Sequence, residues 1–130
     1  MIYLTPGMHP TKEYIHDIQD AGRYNAYGNF LDRFRSARNN ETRQFLIAER
    51  PDDDNLYPVD MAKLAATVER LVKEYGLKMP EWVLDERYIL SEPYYAGAKI
   101  PGYRKLLQET ALPEFARRNI FIGDNCMDRA

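Results

Sequence analysis

Few residues in this chain have the type and spacing to carry chemistry. The two histidines, His9 and His16, stand seven apart with Pro10 between them, and Cys126 is the one cysteine. A protein metal centre needs three or four nitrogen, sulfur or oxygen donors brought to one point. No second donor pair stands near these histidines, so no metal site is expected. Asp52-Asp53-Asp54-Asn55 has the composition of a calcium loop without its ligand spacing. Tyr57 occupies the sixth position, where glycine is needed, and Lys63 the twelfth, where a bidentate glutamate belongs. Neither GxxxxGK[ST] nor GxGxxG occurs, so there is no phosphate cradle. Ser36 and Ser91 have no elbow motif, and Cys126 has no histidine base near it in sequence. The expected catalytic, cofactor and metal residues are therefore none.

The aromatic residues are more informative. Ten tyrosines occur, and Tyr88, Tyr94, Tyr95 and Tyr103 crowd around a segment carrying Pro93 and Pro101. Tyrosine combines large contact area with a polar tip, which suits interfaces. It suits equally a core-edge cluster closing over a helix. Trp82, Tyr88, Tyr94, Tyr95, Tyr103, Arg104, Arg117 and Arg118 form the candidate partner-binding set. Asp85, Glu86 and Glu92 lie beside Trp82, Tyr88, Tyr94 and Tyr95. An aromatic pocket over Trp82–Tyr95 with two carboxylates about 5–10 Å apart would allow glycoside chemistry or ligand binding. A third reading takes Arg33, Arg35, Arg38 and Arg43 together with Arg104, Lys105, Arg117 and Arg118 as a nucleic-acid surface. No helix-turn-helix spacing or ribonucleoprotein motif accompanies them. From Ala21 to Arg50 six arginines face three carboxylates, and from Pro51 to Gly76 the balance reverses to −3. Such alternation also describes a solvated face of internal ion pairs.

The element that must position these residues is Pro58–Lys78. Met61, Leu64, Ala65, Val68, Leu71, Val72 and Tyr75 recur at helical steps, with Lys63, Thr67, Glu69, Arg70, Lys73 and Glu74 between them for the wet face. Gly76 and Pro80 end the helix. Around it the sequence predicts helices over Thr11–Ala21 with Thr11 as N-cap, about Asn25–Arg38, and Glu41–Arg50 with Asn40 as cap. Pro51–Asn55 reads as a loop, and Glu81–Leu90 as two helical turns or one short strand. Ser91–Gly102 reads as an ordered aromatic loop. Tyr103–Thr110 reads as a helix with Leu106 and Leu107 inward, and Leu112–Arg118 as a helix with Pro113 in its first turn. Asn119–Gly123 reads as a small terminal strand or extended segment, and the tail from Asp124 as loose. The expected fold class is mainly α: a compact single-domain helical bundle over 1–130 around a long central helix of about 58–76, with a short terminal β element.

Hydrophobic content of 45% and charged content of 29% suit a globular chain. A net charge of −2 gives no general pull toward nucleic acid or anionic membrane. No apolar run reaches the roughly 18 residues of a membrane span, and MIYLTPGMHP has neither a basic leader nor a long apolar centre. One cysteine permits no internal disulfide, which makes the cytoplasm the expected compartment.

The stretch Thr110-Ala-Leu-Pro113-Glu-Phe115-Ala-Arg117-Arg118-Asn119-Ile120-Phe121-Ile122 resembles small bacterial proteins, some encoded near toxin–antitoxin or mobile-element genes; with Trp82 and Glu92-Pro93 the resemblance covers about the last third of this chain. The resemblance implies a bacterial intracellular protein with a regulatory or partner-binding role, and brings no catalytic residue with it. The expected function is a non-catalytic interaction protein, antitoxin-like in role. Its partner is a protein held on the Tyr/Arg-rich C-terminal surface, with a homodimer as a further form and no cofactor. Nucleic-acid binding and a small helical enzyme or ligand-binding protein are the alternatives.

Overall fold

The computed structural model describes residues 2, 8–97 and 101–128, with the side chain of Pro101 excepted. The leader reading at the N-terminus, the middle of the aromatic loop and the end of the tail touch residues 1, 3–7, 98–100 and 129–130, which lie outside the described residues. The fold is mainly helical, with one two-stranded parallel sheet. A single 3-10 turn, Thr11–Glu13, leads into α1 (Tyr14–Ala21), followed by α2 (Arg23–Ser36), α3 (Asn40–Leu46) and the long α4 (Pro58–Tyr75). Two 3-10 turns, Glu81–Leu84 and Glu86–Tyr88, precede β1 (Tyr94–Tyr95), α5 (Pro101–Thr110), α6 (Pro113–Ala116) and β2 (Ile120–Phe121). Tyr94 lies opposite Ile120, and Tyr95 opposite Phe121.

α4 forms where its period places it. Pro58 starts it, where a missing N–H costs nothing, and Gly76 leaves it in the left-handed region at φ 67°. The Leu77 N–H then donates to the Val72 carbonyl at 2.9 Å, satisfying one of the last-turn acceptors. The helix is more enveloped than its apolar stripe predicts. Thr67 and Glu69, expected on the wet face, are buried with Met61, Leu64, Ala65, Val68, Leu71 and Val72. Flanking segments cover these positions as well as the stripe, leaving solvent chiefly to Arg70, Lys73 and Glu74 on the last turns.

Rings join the first helices to α4. Tyr14 meets Phe30 edge-on, Phe30 contacts Phe34, and Phe34 meets Tyr75 edge-on at a centroid distance of 5.2 Å. α2 begins at Arg23, two residues before the expected start, because Gly22 at φ 86° completes the corner between α1 and α2 in a single residue. The end of α2 is capped from outside. Arg43 donates from Nε to the Phe34 carbonyl (3.0 Å) and from Nη2 to the Arg35 (3.0 Å) and Ala37 (2.7 Å) carbonyls, with its guanidinium over the Tyr75 ring.

Five local readings need correction. Thr11 does not cap a helix; its buried hydroxyl donates to the Glu49 carbonyl at 2.7 Å, tying the N-terminal turn to the end of the third segment. The cap of α3 is Asn39, not Asn40: Asn39 Oδ1 accepts from the Thr42 N–H at 2.8 Å. α3 also ends at Leu46, short of Arg50. Replacing Asn39 with alanine should cost about 1 kcal/mol in a urea-unfolding measurement. Leu107 is buried, but its neighbour Leu106 is half exposed, since a short helix has one covered face. Finally, the tail is seated as far as Asp128. Met127 is buried in the core, Cys126 packs against it, and the Cys126 N–H donates to the Gly123 carbonyl at 3.0 Å.

Candidate interaction surface and its ion-pair clamp

The C-terminal third is fixed to α4 by a buried cluster of charge. Arg118 is 2% exposed and donates from Nη1 to Glu69 Oε1 at 2.7 Å and to the Glu114 carbonyl at 2.8 Å. Its Nη2 donates to the Val83 carbonyl at 2.8 Å. One guanidinium thus links α4, α6 and the first of the two 3-10 turns. Arg117 also pairs with Glu69, and Lys73 sits 3.3 Å from the second oxygen of Glu69. Lys73 and Arg70 reach Glu114 at 2.9 and 3.1 Å. Burial pushes the Glu69 carboxyl up, but hydrogen bonds from Arg118 and Arg117 outweigh it and hold the carboxyl below its ordinary value. Burial acts on Glu114 in the same sense, and Lys73 and Arg70 overcome it. No buried polar side-chain atom among the described residues is left without a partner.

This clamp sorts the candidate residues. Arg118 is buried inside it, and Arg117 lies at its exposed edge. Trp82 and Tyr88 belong to the core, where they meet edge-on at 5.6 Å. The Trp82 indole N–H donates to the Ile47 carbonyl at 2.8 Å, and the Tyr88 hydroxyl donates to Asp54 at 2.6 Å. These three side chains therefore hold the surface from beneath and present no face to a partner. Tyr94 and Tyr103 are exposed. Tyr95 is partly covered, stacked on Phe121 at 5.0 Å, with the Arg104 guanidinium 5.0 Å from its ring centroid and its hydroxyl accepting from Gln108.

Of the exposed members, Tyr94 lines an open groove of about 450 Å³. Pro58, Val59, Ile89, Leu90, Pro93 and Tyr94 make its apolar floor, and Arg87, Ser91 and Glu92 its rim. Leu84 and Ile89, both exposed, continue the apolar surface beyond it toward Arg117. Trp82, Tyr88 and Tyr95 do not line this groove, so the expected Trp82–Tyr95 aromatic pocket is divided between core, groove and sheet face. Asp85 is occupied as the cap of the second 3-10 turn, accepting from the Arg87 N–H at 3.0 Å.

The arginine groups are engaged within the chain. Arg33 lies 3.6 Å from Asp17, Arg35 pairs with Glu74 at 3.0 Å, and Arg43 caps α2. The acidic loop faces neither group: Asp54 is approached by Arg50 (3.5 Å) and Arg87 (3.6 Å). A cleft of about 460 Å³ runs beside the clamp, with Arg35, Arg70 and Lys73 on its walls together with Glu74, Glu114, Asp124 and Asp128. Cations and carboxylates neutralise one another there. His9 Nδ1 lies 2.6 Å from Asp17, and His16 is exposed. Among the described residues, no three histidine, cysteine, aspartate or glutamate side chains converge to hold a metal. No described helix is long and apolar enough to cross a membrane.

A second concave region escaped the sequence reading. Two adjoining cavities, about 190 and 170 Å³, share Tyr24, Tyr27 and Lys63. The sequence pattern places Lys63 on a solvated helix face, and Cys126, which lines the smaller cavity, in a loose tail. Only the packing of α2 and the C-terminal segment against α4 brings them together. No protein-family model, curated protein or solved structure matches the chain.

Proposed function

We propose that this is a non-catalytic interaction protein whose protein partner seats on the groove between Pro58 and Tyr94 and extends onto the exposed Tyr103 and Arg104. The observation that carries the reading is the exposure of Ile89 and Tyr94 in a groove lined by apolar residues together with Arg87 and Glu92, with exposed Leu84 next to Ile89 beyond it. An apolar centre with a polar border is the anatomy of a protein interface, and contiguous exposed apolar surface of this kind is uncommon on a chain with no partner. Backbone hydrogen bonds from the Leu90 N–H to the Arg118 carbonyl (3.1 Å) and from the Tyr94 N–H to the Asn119 carbonyl (2.8 Å) hold the groove segment in place, which lowers the ordering cost of binding. The arginine alternative has less support, because carboxylates of the chain already hold much of that charge. A regulatory, antitoxin-like role in a bacterial cytoplasm follows from the C-terminal resemblance alone.

The test is co-purification from the native host, quantified by mass spectrometry, with wild type, Ile89→Asp and Phe45→Asp. Phe45 is an exposed apolar residue on α3 outside the groove. A partner held by the groove should be retained by wild type and Phe45→Asp and depleted at least about tenfold by Ile89→Asp. The same proteins in equal amounts with all three would refute the assignment.

A further inference from the structure

We propose that the cleft between α2 and α4 binds a small aromatic carboxylate, with Lys63 as the anchor for its anionic group. The two cavities there meet at Lys63. Tyr14, Tyr94, Ile120 and Ile122 contribute ring and aliphatic walls to the larger one, and Leu31 and Cys126 to the smaller. Such walls select a flat apolar body, and tyrosine faces favour an aromatic ring. Tyr24 stands at the mouth of both cavities and is 81% exposed, so its ring is available as a closing wall.

Lys63 supplies the polar selection. Its ammonium lies 3.9 Å from the centroid of the Tyr27 ring, and among the described residues it makes no hydrogen bond or ion pair. The Tyr27 ring is held in place: its hydroxyl is 2.8 Å from Thr67 Oγ1, which itself donates to the Lys63 carbonyl at 2.8 Å. The carboxylate one turn back, Asp60, is engaged by Arg23 at 3.3 Å. Burial lowers the Lys63 ammonium from its ordinary value. The same burial pushes the Cys126 thiol up, which keeps it neutral; the carboxylates that line the cleft with the lysine are Asp60, already paired with Arg23, and Asp128 on the wall of the smaller cavity. In the larger cavity, where Asp60 is taken up by Arg23, the lysine ammonium over the Tyr27 ring is the charge left for an entering anion to complete. Each cavity alone is smaller than a drug-sized site, which restricts the ligand in the larger one to one ring and one anionic group.

The experiment is a calorimetric titration of the full chain with benzoate, benzamide and benzylamine. It is repeated on Lys63→Met, which keeps the aliphatic stem, and on Lys73→Met, which removes a cation from the other cleft. Benzoate should saturate wild type and Lys73→Met in the micromolar-to-millimolar range, and bind Lys63→Met at least about tenfold more weakly. Benzamide should lose about the same factor on wild type, a comparison that needs no variant to fold. Tyr24 and Tyr27 ring resonances should shift with benzoate alone. Failure of benzoate to saturate up to about 10 mM, equal binding by Lys63→Met, or equal binding of benzylamine would overturn the proposal. Its outcome is separate from that of the groove, which Ile89→Asp tests.

Discussion

Replacing Glu69 with alanine is expected to destabilise the protein by about 3–5 kcal/mol, the cost of leaving a buried charge without its partner. Arg118 is the stranded group. It is as buried as Glu69, and it cannot turn to water without releasing the carbonyls of Glu114 and Val83. Arg117 and Lys73 lose a partner too, but both are half exposed and can be hydrated, so they add little. The loss should appear as a lower urea midpoint with circular-dichroism and fluorescence probes agreeing. Hydrogen exchange should rise first in α6 and β2, the elements Arg118 holds to α4. The pH dependence has a definite sign. Glu69 and Glu114 are held below their ordinary values in the folded chain, so the unfolded chain binds their protons more readily. Their contribution is complete at neutral pH and is lost as the pH falls below the ordinary glutamate range through the folded values. Glu69→Gln should flatten that acid limb; an unchanged acid limb in this variant would contradict the clamp.

Trp82→Ala should cost a similar amount, about 3–5 kcal/mol, through the cavity left by a large buried side chain. The indole packs edge-on against Tyr88 and satisfies the Ile47 carbonyl just beyond the end of α3. Truncation removes the packing and leaves that carbonyl without its donor. Trp82→Phe should recover much of the packing but not the hydrogen bond, and so fall between the two. Thermal or denaturant unfolding followed by circular dichroism measures both, since the single tryptophan is itself the substituted residue. Any effect of Trp82→Ala on partner binding should vanish once the folded fraction is taken into account. A variant of wild-type stability with lost binding would place Trp82 on the contact surface instead.

The two substitutions mark where the sequence was and was not legible. α4 was readable because its signals are local: a helical period, Pro58 at the start, and Gly76 at a position that requires positive φ. The same holds for Pro113 opening α6 and for the short extended run at Ile120. The fate of Glu69 was not readable. Its place between apolar positions suits solvent until α6 and the 3-10 turn close over it, and that closure depends on Arg118, almost fifty residues away. Lys63 and Cys126 met for the same reason, through long-range packing that no spacing encodes. Glu81–Tyr88 gave an ambiguous pattern because two 3-10 turns have neither the helical nor the strand period. Among the aromatic and basic candidates, residue type could not separate Tyr88, with its hydroxyl on Asp54, from Tyr94 at the groove. Both belong to one tyrosine-rich stretch, and burial alone distinguishes them.

The most direct test of the account is photo-cross-linking in the native host, with p-benzoylphenylalanine placed at position 94 or, as a control, at position 45. A partner seated on the groove gives a discrete adduct from position 94 that is absent from position 45 and is abolished by Ile89→Asp. Equal adducts from both positions, or an adduct from position 94 that survives Ile89→Asp, would contradict it.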